Sequence, residues 1–144
     1  VELDDGRYLC ESNAILGYFA ENTRFLPNES YQKAKVYEWL FFEQYSHEPF
    51  IAVARFIEKY LGMPKDREDE FHSLQSGGNK ALKVMERQLS QSDYLVGDQL
   101  TIADISLYAY THVANEGGFD LNNYPAIQNW CQKIQLSPRY ISMG

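Results

Sequence analysis

Thr101 and Asp104 stand three residues apart at the head of a segment, Ile102 to Tyr110, that is apolar nearly all round. Thr-x-x-Asp is a capping box, in which the threonine oxygen accepts the N–H three residues on and the carboxylate reaches back to the cap N–H. A helix with apolar residues on every side offers no face to water, so it must run through the centre of a domain. The rest of the chain therefore has to supply an outer layer around it. The box accounts for both polar side chains, so Thr101 and Asp104 are expected to be structural rather than catalytic.

Two long amphipathic stretches precede the central segment. The first is expected to run over about 30–60, capped by Ser30, with Phe50, Val53, Ala54, Ile57 and Leu61 close to the spacing of one buried stripe. Pro49 has no N–H to donate and its ring clashes with the carbonyl four residues back, that of Tyr45, so a kink is expected there. Leu61, Gly62, Met63 and Pro64 then stop the helix. The second stretch is expected over about 66–90, with Phe71, Leu74, Gly78, Leu82, Met85 and Leu89 on one face. Gly77 and Gly78 each cost roughly 1 kcal/mol relative to alanine inside a helix. Gly78 lies on the apolar stripe, so either another helix approaches closely there or the helix breaks. A last helix starts at Pro125, a favoured first position, and turns Ile127, Trp130, Cys131 and Ile134 inward. The polar connector at 22–30 carries an apolar pair, Phe25 and Leu26, expected to tuck against one of the lobes it joins.

At the other end of the chain, the turn Asp4-Asp5-Gly6 precedes a short extended stretch, and Glu11 and Ser12 follow at the mouth of an apolar helix. Ser12 sits where an N-cap would. A hydroxyl beside free backbone N–H groups can hold an anion, and the neighbouring carboxylate can accept from an ammonium. The pair suits a zwitterion, such as the α-amino acid end of a peptide. An ordinary cap with an acidic neighbour accounts for the same two residues.

Charge narrows the partners. A formal net charge of −7 opposes a nucleic-acid backbone or an anionic membrane as the main partner, and no stretch approaches the ~20 apolar residues that span a bilayer. Neither the two cysteines, Cys10 and Cys131, nor His72 and His112 has metal-ligand spacing, so no metal site is expected. The two thiols are expected to be buried, in a reducing cytoplasm. With 144 residues, 44% of them hydrophobic, the chain can close one ordinary core. It opens on a valine inside what reads as a hairpin, which suggests the C-terminal part of a longer protein.

Taken together the motifs resemble those of the cytosolic glutathione transferases. Glu11-Ser12-Asn13-Ala14-Ile15-Leu16 is similar to the family's segment for the γ-glutamyl end of glutathione. The run from Leu95 to Asp104 resembles its G-D-x-(L/F)-T-x-A-D signature, and Tyr124-Pro125-Ala126-Ile127-x-x-Trp130 resembles the start of its terminal helix. The resemblance implies a mainly α fold. A remnant β-hairpin and helix of a thioredoxin-like domain would occupy 1–21, a linker 22–30, and the all-helical C-terminal bundle 31–144. It implies glutathione as co-substrate, a small hydrophobic electrophile, a homodimer, a cytoplasmic location, and no metal, nucleic acid or membrane. Glu11 would accept from the α-amino group of glutathione, and Ser12 would hold the γ-glutamyl carboxylate by its hydroxyl and N–H. The thiol-activating residue would lie outside this chain, which is expected to be inactive alone.

Other residues take their readings from this frame. Tyr45 either lines the family's electrophile pocket or is a surface tyrosine. His47 reads as an exposed or core histidine rather than an acid–base group, and Tyr37, Trp39, Phe41 and Phe42 read as core plus subunit interface. A hairpin and helix without their sheet are expected to be disordered, repacked or paired with another copy. The alternative function is a non-enzymatic interaction module on the same fold. The Glu11-Ser12 pair argues for the enzyme, because a docking module has no need to hold a zwitterion.

Overall fold

A computed structural model describes residues 1–138 and 140–142. Among them run six α-helices: α1 Ser12–Ala20, α2 Ser30–Phe42, α3 Glu48–Arg55, α4 Glu68–Leu89, α5 Ile102–Thr111 and α6 Pro125–Gln135. π-helical turns at Glu43–His47 and Phe56–Tyr60 follow α2 and α3. The fold is mainly α. Among the described residues the sheet-like pairing is a single antiparallel bridge, Glu2 to Tyr8, closed by a turn with Gly6 at φ 81°.

The axis of the bundle is α5. Ile102, Ala103, Leu107 and Tyr108 are buried, α1, α2 and α3 pack on this helix, and the Trp130 ring of α6 meets Tyr108 edge-on. Its head is fixed by Asp104, which is fully buried. The carboxylate accepts from the N–H groups of Leu95 (2.9 Å) and Thr101 (2.9 Å), the Thr101 hydroxyl (3.1 Å) and the Trp130 indole (2.9 Å). Thr101 Oγ1 in turn accepts from the Ala103 N–H at 3.3 Å. Burial pushes the Asp104 carboxyl up, and these donors oppose the shift. One side chain thus joins the loop before α5, the head of α5 and the middle of α6.

The outer helices follow their apolar stripes with local differences. On α4, Phe71, Gly78, Leu82, Met85 and Leu89 are buried as spaced, and the glycines do not break the helix. A Cβ on Gly77 would come within 2.3 Å of the Phe50 ring, and one on Gly78 within 2.3 Å of the Phe119 ring. Close approach is their reason. The stretch over 30–60 is helical throughout, as expected, but the α ladder gives way to π-turns at two places. Pro49 has no N–H for the Tyr45 carbonyl, and the ladder widens ahead of it into the turn Glu43–His47, where the Glu48 N–H bonds the Glu43 carbonyl five residues back. The added residue rotates the inner face of α3, so Ile51 is buried with Ala54 and Ile57 while Leu61 is exposed.

Ser30 does not cap α2. Glu29 does, accepting from the N–H groups of Tyr31 and Gln32. The cap of α6 comes from α4, where the Glu86 carboxylate accepts the N–H groups of Ala126 and Ile127, both at 3.0 Å. Leu26 is buried, and the Phe25 carbonyl accepts the Ile102 N–H, tying the connector to the head of α5.

Replacing Asp104 by alanine strands three buried N–H donors, and the expected loss of stability is about 3–5 kcal/mol. Urea denaturation of Asp104→Ala measures it. A loss below about 1 kcal/mol would show that α5 is held by apolar packing instead.

Candidate functional site

The start of α1 is exposed and unusual in its backbone. Glu11, not Ser12, is the N-cap, with φ 65° and ψ 120°, a left-handed conformation that side chains other than glycine rarely adopt. Ser12 is the first residue of the helix, so its hydroxyl is not spent on a cap. Glu11 makes no side-chain cap bond. The first helical bond runs from the Ile15 N–H to the Glu11 carbonyl, at 2.9 Å. Among the described residues no group accepts from the N–H groups of Ser12, Asn13 or Ala14. Free amides, a hydroxyl and a carboxylate therefore share one exposed turn, on a backbone that Glu11 holds at a positive φ.

Asn13 holds that turn in place. Its side-chain amide donates to the Glu43 carboxylate (3.0 Å) and the Leu40 carbonyl (3.3 Å), and its oxygen accepts from the Ser106 hydroxyl of α5 (2.7 Å). Glu43 is only 3% exposed, takes a second bond from the Gln44 amide at 2.7 Å, and pairs with no cation among the described residues. Burial, and then the Glu43 charge, push the neighbouring Glu48 carboxyl up. Asn13, Glu43 and Ser106 were not singled out from the sequence. The available signals were faint: a glutamate three and four places after the apolar pair Trp39-Leu40, and a serine inside the apolar α5.

The π-turn sorts its side chains into an inner and an outer set. Glu43 and His47 are buried, whereas Tyr45 is 85% exposed. His47 Nε2 lies 2.8 Å from Thr111 Oγ1. The threonine hydroxyl gives its proton to the Leu107 carbonyl at 2.7 Å, so Nε2 carries the hydrogen and Nδ1 is left a bare acceptor, buried without a partner. Burial lowers the His47 pKa to about 3. Thr101 and Asp104 serve the head of α5 and share no hydrogen bond with Glu11 or Ser12. Of the two thiols, Cys131 is buried and pushed up to about 12 by that burial, but Cys10, expected to be buried, is exposed in the irregular segment just before Glu11. Among the described residues no group of three His, Cys, Asp or Glu side chains could hold a metal ion. Among the described residues no helix is long and apolar enough to cross a membrane.

An all-helical bundle with a capped central helix, preceded by a strained turn at the start of α1, defines a class of fold, and comparison with known proteins gives that class a family. Residues 50–138 match the family model for the glutathione S-transferase C-terminal domain, and the chain belongs to that family. The crystal structure of a glutathione S-transferase from Pseudomonas fluorescens Pf-5 is 58% identical with a TM-score of 0.97, covering 99% of this chain and 71% of that one. A second Pseudomonas fluorescens Pf-5 glutathione transferase family member, with two glutathione molecules bound, shares the fold at 23% identity and TM-score 0.80 over 90% of this chain and 60% of that one. Disulfide-bond oxidoreductase YfcG of Escherichia coli K12 is 29% identical over 131 residues, 90% of this chain and 60% of its own length. The chain thus spans less than two thirds of that curated relative.

The buried His47 makes stability depend on pH. Its folded pKa of about 3 lies below the ordinary 6.5, so as pH falls the unfolded chain takes up the proton first and stability drops through that window. Between pH 7 and 5 the His47 contribution is about 2 kcal/mol. Urea midpoints at the two pH values should therefore fall further in the wild type than in His47→Gln. Equal falls would mean that the imidazole is not buried as described.

Proposed function

We propose that the start of α1 binds the γ-glutamyl end of glutathione and that the whole protein transfers the glutathione thiolate to a small apolar electrophile. The observation that carries this reading is the strained Glu11 beside unpartnered amides at an exposed helix start. Ser12 receives the glutamyl carboxylate on its N–H and hydroxyl, and Glu11 accepts from the α-ammonium, a charge-assisted pair. Tyr45 offers an exposed phenol to the electrophile's side of the site. Thr101 and Asp104 act only on the fold. Residues 1–21 read as the end of a thioredoxin-like domain and 31–144 as the helical domain, joined by 22–30. The thiol-activating residue is assigned outside these residues, and the working assembly is a cytoplasmic homodimer. The family match and the Pseudomonas fluorescens transferase support the transfer reaction, and the glutathione-loaded fold relative supports the ligand.

A second reading is favoured by the E. coli oxidoreductase. The same bound glutathione would attack a disulfide sulfur instead of carbon, giving a mixed disulfide and releasing a thiolate. Both readings need the same site. A non-enzymatic docking module does not.

Calorimetric titration of the intact protein with glutathione separates these functions from docking. Glu11→Ala removes a charge-assisted hydrogen bond, so its affinity is expected to fall about tenfold or more. Absence of glutathione binding in the wild type would leave the docking module. Where glutathione binds, turnover of an aryl halide against that of a small disulfide distinguishes transfer from disulfide reduction.

A further inference from the structure

Two polar links fasten the π-turn Glu43–His47 to α5. One is indirect, Glu43 to Asn13 to Ser106. The other is direct, His47 to Thr111. In both, every member but Asn13 is buried, so neither link is exchanged readily for water. A π-turn is a rare, poorly stabilised departure from the α ladder, and such turns gather at functional sites. Pro49 explains why the ladder must widen near this point but not which way the turn faces. That rotation decides whether the Glu43 carboxylate meets the Asn13 amide or turns away from it. Glu43 and His47 are four residues apart and both point inward, while Tyr45 between them points out. Fixing His47 therefore fixes Glu43 and Tyr45 together.

We propose that His47 is a positioning residue: its hydrogen bond to Thr111 sets the rotation of the π-turn, and through Glu43 and Asn13 it sets the placement of the glutathione-binding turn at Glu11 and Ser12. The inference rests on the glutathione reading. It adds to that reading a residue that touches neither ligand nor reacting atom. The neutral imidazole with hydrogen on Nε2 is the form the link requires, since the Thr111 hydroxyl has already given its own proton to the Leu107 carbonyl. Leucine fills much of the same volume and donates nothing. Glutamine brings an N–H donor to nearly the same point.

The test is glutathione affinity by calorimetry in the intact protein for wild type, His47→Leu, His47→Gln, Thr111→Val and Thr111→Ser. His47→Leu and Thr111→Val should each weaken binding roughly fivefold, the equivalent of one lost hydrogen bond. His47→Gln and Thr111→Ser should restore it to within about twofold of the wild type. A purely space-filling histidine predicts another order, with leucine tolerated and glutamine harmful. If His47→Leu does not fold, the comparison of Thr111→Val with Thr111→Ser carries the same decision. Wild-type affinity in Thr111→Val, or in His47→Leu, overturns the proposal. So does a His47→Gln protein as weak as His47→Leu. A wild type that does not bind glutathione fails the functional reading instead.

Discussion

The Asp104 carboxylate is the interaction on which the rest of this structure depends. It is fully buried yet accepts from four donors belonging to the loop at Leu95, the head of α5 and the Trp130 indole of α6. Burial alone would favour the protonated form, and the convergent donors are what make a charge tolerable there. Because α5 is apolar on nearly every side, it cannot rely on solvent to define its start or its rotation. The carboxylate does both. With the head of α5 fixed, the positions of Ser106 and Thr111 along it are fixed as well.

Those two hydroxyls carry the order of the core outward to the site. Ser106 reaches Asn13, and Thr111 reaches His47. Residues separated by 93 positions in the chain thereby meet beside the first turn of α1. A loop-mounted ligand turn is normally mobile, and an exposed one more so. Here the turn at Glu11 and Ser12 is braced from beneath by the Asn13 bonds to Leu40, Glu43 and Ser106, while among the described residues the Ser12 N–H and hydroxyl stay free.

Much of this was legible in the sequence, for identifiable reasons. The capping box at Thr101 and Asp104, the stripe from Phe71 to Leu89 and the inner face of α6 are local patterns, and local patterns survive into the fold. Glu11 and Ser12 were legible as a pair but not in their roles as cap and first residue, because the positive φ of Glu11 leaves no compositional mark. The π-turn was visible only as a proline; one inserted residue then rotated the α3 stripe from the expected set to one containing Ile51. Caps supplied from elsewhere, such as Glu86 on α6, and the Asn13 bracket join residues tens of positions apart. No window of sequence contains them. The exposure of Cys10 was missed for the same reason, since burial depends on which distant elements pack on a position and no local pattern records that.

The central claim is that a ligand's carboxylate is received by the free amides of the α1 turn and that the brace beneath stays unchanged. Amide-resolved NMR titration of the intact, nitrogen-15-labelled protein with glutathione tests this directly. The account predicts the largest shifts at the Ser12 and Asn13 amides, smaller ones at Glu43 to His47, and none along α6. Largest shifts elsewhere, for instance in the groove between α2 and α4 lined by Lys35 and Arg87, with Ser12 unmoved, would contradict it.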